Sequence, residues 1–163
     1  MLFDGYSEFK FLQALEPQDV AAGGGATNGI TIDRRGYGTL TFIVNVGDYT
    51  GGGAFSADNR FQLKLEHGTA SALGVDTWSE CYPSQMLHSV VGMGGAYSTL
   101  NSGIWQSITS ANVSNVYTVG YIGQRRYVRI AISEVGAPST ISFAAVAMLG
   151  KPEIWPVQDP IPH

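Results

Sequence analysis

Arg60-Phe61-Gln62-Leu63-Lys64-Leu65-Glu66 alternates polar and apolar residues without a break. A period of two puts Phe61, Leu63 and Leu65 on one face and the charged residues on the other, as in a strand with one wet and one buried side. The same pattern recurs upstream, where Leu40, Phe42, Val44 and Val46 alternate with Thr39, Thr41, Ile43 and Asn45, predicting a strand over 38–46. Downstream, Val116–Ile122 and Arg126–Ser133 are rich in Val, Ile and Tyr, which suit a pleated surface. Gly123-Gln124 between them reads as a tight hairpin turn. Ile141, Phe143, Ala145, Ala147 and Leu149 line one side of a last strand, and shorter strands are predicted at 28–33, 75–80 and 103–108. No stretch of this zone keeps a helical period. The expectation is an all-β chain, an antiparallel β-sandwich or jelly roll of about eight strands.

Around that sandwich, placed at 26–150, the ends differ in character. Residues 1–25 carry Phe3, Tyr6, Phe9, Phe11, Leu12 and Leu15, then Pro17 and Gly23-Gly24-Gly25. Their aromatic spacing fits neither a strand nor a helix, so an extended, irregular N-terminal arm is expected, with one helical turn ended by Pro17. Residues 151–163 hold Pro152, Pro156, Pro160 and Pro162 around Ile154 and Trp155, the composition of an extended tail. Residues 68–102 are mostly small or glycine-rich and read as a long loop apart from the strand at 75–80. Leu87, Val90, Val91, Met93 and Tyr97 in it call for a packing partner.

The chain has 163 residues, enough for one domain with a full core. Charged residues make up 13%, about half the usual ~25%. The net charge of −4 argues against a general nucleic-acid binder. Glycines number 21, and the single cysteine, Cys81, excludes an internal disulfide framework and a four-cysteine zinc site. The start carries acidic residues rather than a basic leader, and the longest apolar run, 141–149, falls far short of the ~20 residues of a membrane helix. Synthesis in the cytoplasm, without a membrane role, is the expectation.

Catalytic chemistry finds little footing. His67, His88 and His163 are not paired at metal-ligand spacing, and no nucleophile motif surrounds Cys81. Asp76 with Glu80, or Glu66 with Asp76, would suit a glycosidase only if held several ångströms apart. The glycine runs at 23–25, 51–53 and 92–95 lack the Gly-Lys-Ser/Thr of a phosphate loop. No cofactor and no metal are expected. The one basic cluster, Arg125-Arg126 with Arg129, reads either as turn residues or as forks for the carboxylates of a neighbouring chain.

Val119-Gly120-Tyr121-Ile122-Gly123-Gln124-Arg125-Arg126-Tyr127-Val128-Arg129, followed by Phe143-Ala144-Ala145-Val146-Ala147-Met148-Leu149-Gly150-Lys151-Pro152, resembles small structural proteins of tailed bacteriophages. There a Tyr-x-Gly-x-Arg-Arg/Lys-Tyr-x-Arg strand precedes a Gly/Ala-Ala-Val-Ala-x-Leu-Gly-x-Pro strand. Phe61–Glu66 with Asp76-Thr77-Trp78 looks like the same family's earlier region. The likeness runs over 28–152 and is specific only over 116–152. It implies a jelly-roll virion protein without enzymatic activity. Such a protein decorates or cements the capsid by binding across major capsid protein subunits, and forms a homotrimer. Phe3, Tyr6, Phe9, Phe11, Arg125, Arg126 and Trp155 are then the partner-binding residues expected, because interface centres are poor in charge and use aromatic and arginine anchors. A rival expectation is a glycan- or receptor-binding module of a phage fibre or spike, stacking sugars on Trp78, Tyr82, Tyr97 and Trp105. A small hydrolase using Asp76 and Glu80 ranks last.

Overall fold

The computed structural model describes residues 8–50, 55–56, 58–69, 78–88 and 103–153. In chain order the strands are β1 (Phe9–Val20), β2 (Thr27–Asn28), β3 (Ile32–Asp33), β4 (Tyr37–Thr50), β5 (Arg60–Gly68), β6 (Ser79–Glu80), β7 (Met86–His88), β8 (Ile104–Ile108), β9 (Asn115–Tyr121), β10 (Tyr127–Val135) and β11 (Thr140–Pro152). One short 3-10 turn, Pro83–Gln85, separates β6 from β7.

Two antiparallel sheets face each other. The first runs β1-β11-β4-β9-β7. The second is centred on β10 and β5: β2 and β3 share the outer edge of β10, and β6 and β8 share the outer edge of β5. Early and late strands are neighbours in both sheets, β1 beside β11 and β2 beside β10, which is the winding of a jelly roll. Eleven strand segments stand where about eight strands are expected, for two reasons. Both edges of the second sheet are broken into two pieces, and β7, inside the stretch expected to be loop, adds a short edge to the first sheet.

Alternation fills the space between the sheets. Phe42, Val44, Val46, Phe143, Ala145, Ala147 and Leu149 enter it from the first sheet. Phe61, Leu63, Leu65, Val128, Ile130, Ile132 and Ile108 enter it from the second. Phe61 and Phe143 meet edge to face, ring centroids 5.6 Å apart, and so join β5 to β11 across the core. Each fully buried side chain of this size contributes about 1.5–3 kcal/mol.

Two expectations are overturned. Residues 9–20 are not an irregular arm with a helical turn; they are β1, paired along β11 from Phe9↔Gly150 to Val20↔Ile141, so the sandwich begins before residue 26. The register shifts between Gln13 and Leu15 and again between Leu15 and Gln18. At the first shift Ala14 and Leu15 both turn inward, which hides the period of two from the sequence. Pro17 lies in the second shift on an edge strand, where a missing N–H costs no ladder bond. The second correction concerns Gly123-Gln124. β9 and β10 belong to different sheets, so residues 122–126 form a crossover over the rim rather than a hairpin. Ile122 N–H donates to Gln85 O, and Arg125 N–H donates to the Tyr121 hydroxyl; these bonds carry the chain from one sheet to the other.

Candidate functional site: an uncharged sheet face

The two outer faces of the sandwich differ in charge. On the second sheet, β5 and β10 point their polar side chains outward, and the central charges are paired. Lys64 Nζ lies 2.8 Å from Glu80, and Arg129 lies 2.8 Å from Glu66. The Arg129 guanidinium also covers the Trp78 ring, 4.3 Å from its centroid.

The first sheet has no such ladder. Residues 37–47, 113–124 and 137–150 contain no charged side chain, and they supply its three central strands, β4, β9 and β11. Register then aligns the outward residues in rows. One row runs Phe11–Met148–Thr41–Gly120–Leu87, and the next runs Gln13–Val146–Ile43–Thr118. Asn45 and Val116 follow with Ala144. On this face Phe11 is 55% exposed, Leu87 61%, Val116 63%, Ile122 53% and Val146 40%. Charges among the described residues stand only at its margins, Glu16, Asp19 and Asp48 at one end and Lys151 at the other. The face is uncharged rather than uniformly apolar, with Gln13, Thr41, Thr118 and Asn45 standing among its exposed Phe, Leu and Val side chains.

At the margin near Asp19, the shift in β1 opens a shallow groove of about 450 Å³ lined by Pro17, Gln18, Asp19, Asn45, Ser142 and Ala144, among others. The Ser142 hydroxyl donates to Asp19 there.

The expected anchors divide. Phe9 and Phe11 both point outward on this face, at its β1 edge. The Phe9 ring lies over Gly150, where an added Cβ would stand 2.9 Å from ring carbons. Phe3, Tyr6 and Trp155 lie outside the described residues. Arg125 and Arg126 sit in the crossover at one end of the sandwich, away from the face. Arg126 Nε donates to Asp33 Oδ1 over 2.8 Å, and the same pair is closed by a second, Nη2–Oδ2 bond. This holds the Asp33 carboxyl below its usual range.

The described members of the sugar-stacking set do not stand as open platforms together. Trp105 is 1% exposed, a core residue, and Trp78 is capped by Arg129. Tyr82 is exposed on the turn before β7, and Tyr97 lies outside the described residues. Of the carboxylates weighed for hydrolysis, Glu66 and Glu80 are ion-paired in the ladder, and Asp76 lies outside the described residues. Cys81 is buried, and burial together with nearby Glu66 pushes its thiol up to about 12, so no thiolate nucleophile stands ready. His67 is buried and bonded to Tyr121. Among the described residues no cluster of three His, Cys, Asp or Glu side chains could hold a metal.

The uncharged face was missed in the sequence, although its signal is there: residues 37–47, 113–124 and 137–150 carry no charge, whereas β5 and β10 carry several. What was lacking was the knowledge that those three lie side by side.

Comparison with protein-family models and with curated protein sequences finds no match. Among solved structures, the fold is similar to the CBM22-1–GH10 modules of the Clostridium thermocellum endo-1,4-β-D-xylanase 10B, determined with xylohexaose. That match has 10% identity and a TM-score of 0.37, and covers 94% of this chain and 28% of the other. It is also similar to the VP2 subviral particle of infectious bursal disease virus, at 8% identity and a TM-score of 0.26, covering 88% of this chain and 41% of the other. This chain thus spans less than half of either neighbour. At these scores neither bears on what it binds.

Proposed function

We propose that this protein is a non-enzymatic structural component of a tailed-phage virion. It decorates or cements the capsid by laying the outer face of its five-stranded sheet on major capsid protein. The observation that carries the reading is the uncharged face: Phe11, Leu87, Val116, Ile122 and Val146 exposed together, with charge only at the margins. Such a face contributes affinity by apolar burial and sets no counter-charge against a partner. The phage setting comes from the resemblance over 116–152. In this reading Phe9 and Phe11 extend the contact at its edge, Phe3, Tyr6 and Trp155 supply further anchors, and several copies, as a trimer, gain from multivalent attachment.

The test is sedimentation of the purified chain with empty shells of the phage that encodes it. The wild type travels with the shells. Val146→Lys places a charge in the centre of the face, keeps the thermal unfolding of the wild type, and stays in the supernatant. Failure of the wild type to sediment, or equal sedimentation of both, defeats the reading.

A second reading rests on the groove beside Asp19. Its amide, hydroxyl and carboxylate groups are of the kind that bond sugar hydroxyls, although its one aromatic lining residue, Phe143, is a core side chain only 1% exposed. Binding on a glycan array, lost in Asn45→Ala, would favour it.

A further inference from the structure

The sequence puts Arg34-Arg35 and Arg125-Arg126 ninety residues apart, and the fold brings them together. The first pair lies in the turn between β3 and β4, the second in the crossover between β9 and β10. The two segments are bonded backbone to backbone, Arg34 N–H to Arg126 O at 3.1 Å. Four of the chain's nine basic residues thus gather at one end of the sandwich. The carboxylates of Asp33 and Glu153 belong to the same end, since Glu153 N–H donates to Gly36 O in that turn.

Two of the four arginines are committed to the fold. Arg34 donates to Gly123 O and lies over the Tyr121 ring, 5.3 Å from its centroid. Arg126 grips Asp33 with two bonds and leans on Tyr127, 4.8 Å from that ring's centroid. The other two, Arg35 and Arg125, are exposed, and their guanidinium groups make no hydrogen bond or ion pair among the described residues. Elsewhere on the sandwich, Lys64 and Arg129 each meet a carboxylate. Among the described residues the rim thus holds two guanidinium forks without an ion pair, Arg35 also lending its charge to Asp33. Arg126 already shows the mode of use, bidentate capture of a carboxylate.

We propose that this arginine rim, Arg34-Arg35 with Arg125-Arg126, is a docking site for a short acidic segment of a protein partner, whose carboxylates are taken by Arg35 and Arg125. A nucleic acid fits less well. Phosphate backbones are followed by extended basic tracks, whereas this site spans two adjoining segments of a chain with net charge −4. The site is separate from the uncharged face, so its failure would leave the capsid reading standing, and the reverse holds.

The experiment titrates the full chain, at low salt, into fluorescein-labelled hexaglutamate and, separately, into a labelled oligothymidylate, and follows anisotropy. Saturable hexaglutamate binding is expected. It weakens about tenfold or more in the Arg35→Gln/Arg125→Gln double variant and on raising sodium chloride to about 0.5 M. The unfolding midpoint of the double variant matches the wild type, because neither side chain holds the fold. The oligothymidylate binds more weakly than the peptide. Absence of peptide binding, or equal binding by both proteins, overturns the proposal. Tighter oligothymidylate binding that the same double variant abolishes also overturns it, assigning the rim to nucleic acid.

Discussion

The Nδ1 atom of His67 lies 2.8 Å from the hydroxyl of Tyr121, and this bond ties β5 of one sheet to β9 of the other. The Tyr121 oxygen also accepts the Arg125 N–H at 3.0 Å, so one hydroxyl joins β5, β9 and the crossover. Burial, then the positive charge of Arg125, lowers the pKa of His67 from the ordinary 6.5.

Stability follows from that shift. The unfolded chain takes up the proton first as pH falls, so ionisation favours unfolding. The contribution of His67 is fully present above pH 6.5 and is lost as pH falls from there through the lower folded value. Asp33, lowered from 3.8 chiefly by its bond to Arg126, acts in a separate window below 3.8. Urea unfolding midpoints measured against pH should therefore drop below 6.5 in the wild type. They should drop distinctly less in His67→Gln. Equal slopes for the two proteins would contradict the wiring.

Gly29 sits where the broken edge of the second sheet leans on the first. Its N–H donates to Ile130 O at 2.8 Å, and the next N–H, of Ile30, donates to Ala14 O at 2.7 Å. A Cβ at Gly29 would stand 2.5 Å from Ala14 O and 3.0 Å from Ile130 O, both backbone atoms that cannot swing away. Gly29→Ala should cost about 1–3 kcal/mol in denaturant unfolding. Gly24→Ala, whose Cβ would meet only Ala21 O at 3.5 Å, should be near neutral.

The Glu66–Arg129 pair is less than a fifth exposed on either side, and its arginine also covers Trp78. Replacing Glu66 by Gln leaves the guanidinium without its counter-charge. A loss of about 1 kcal/mol is expected, at the upper end for pairs near a surface. Added salt should narrow the gap between variant and wild type.

Cys81 offers a probe of local opening. With its thiol pushed up to about 12 and no exposed surface, it should resist iodoacetamide at pH 8 in the folded chain. In concentrated guanidinium chloride it should react fully. Rapid labelling of the native chain would mean that the segment between β6 and β7 opens readily.

Much of this architecture was legible in the order of residues. Alternation alone marks Phe61, Leu63 and Leu65, Leu40 to Val46, and Ile141 to Leu149 as core, because a strand must send successive side chains to opposite faces. It also places charge on β5 and β10 and none on the middle of β4, β9 and β11. Pairing is a different matter, since hydrogen bonds between strands do not depend on which side chains the strands carry. Only the folded chain shows that the uncharged middles of these three strands are neighbours, which turns scattered Thr, Val and Ile into one face. Only it shows that Gly123-Gln124 lies in a crossover, and that Pro17 sits in an edge-strand irregularity rather than at the end of an arm. Arg34-Arg35 and Arg125-Arg126 make the same point. Local composition names them as basic, but their meeting depends on a long-range contact between two segments at the rim.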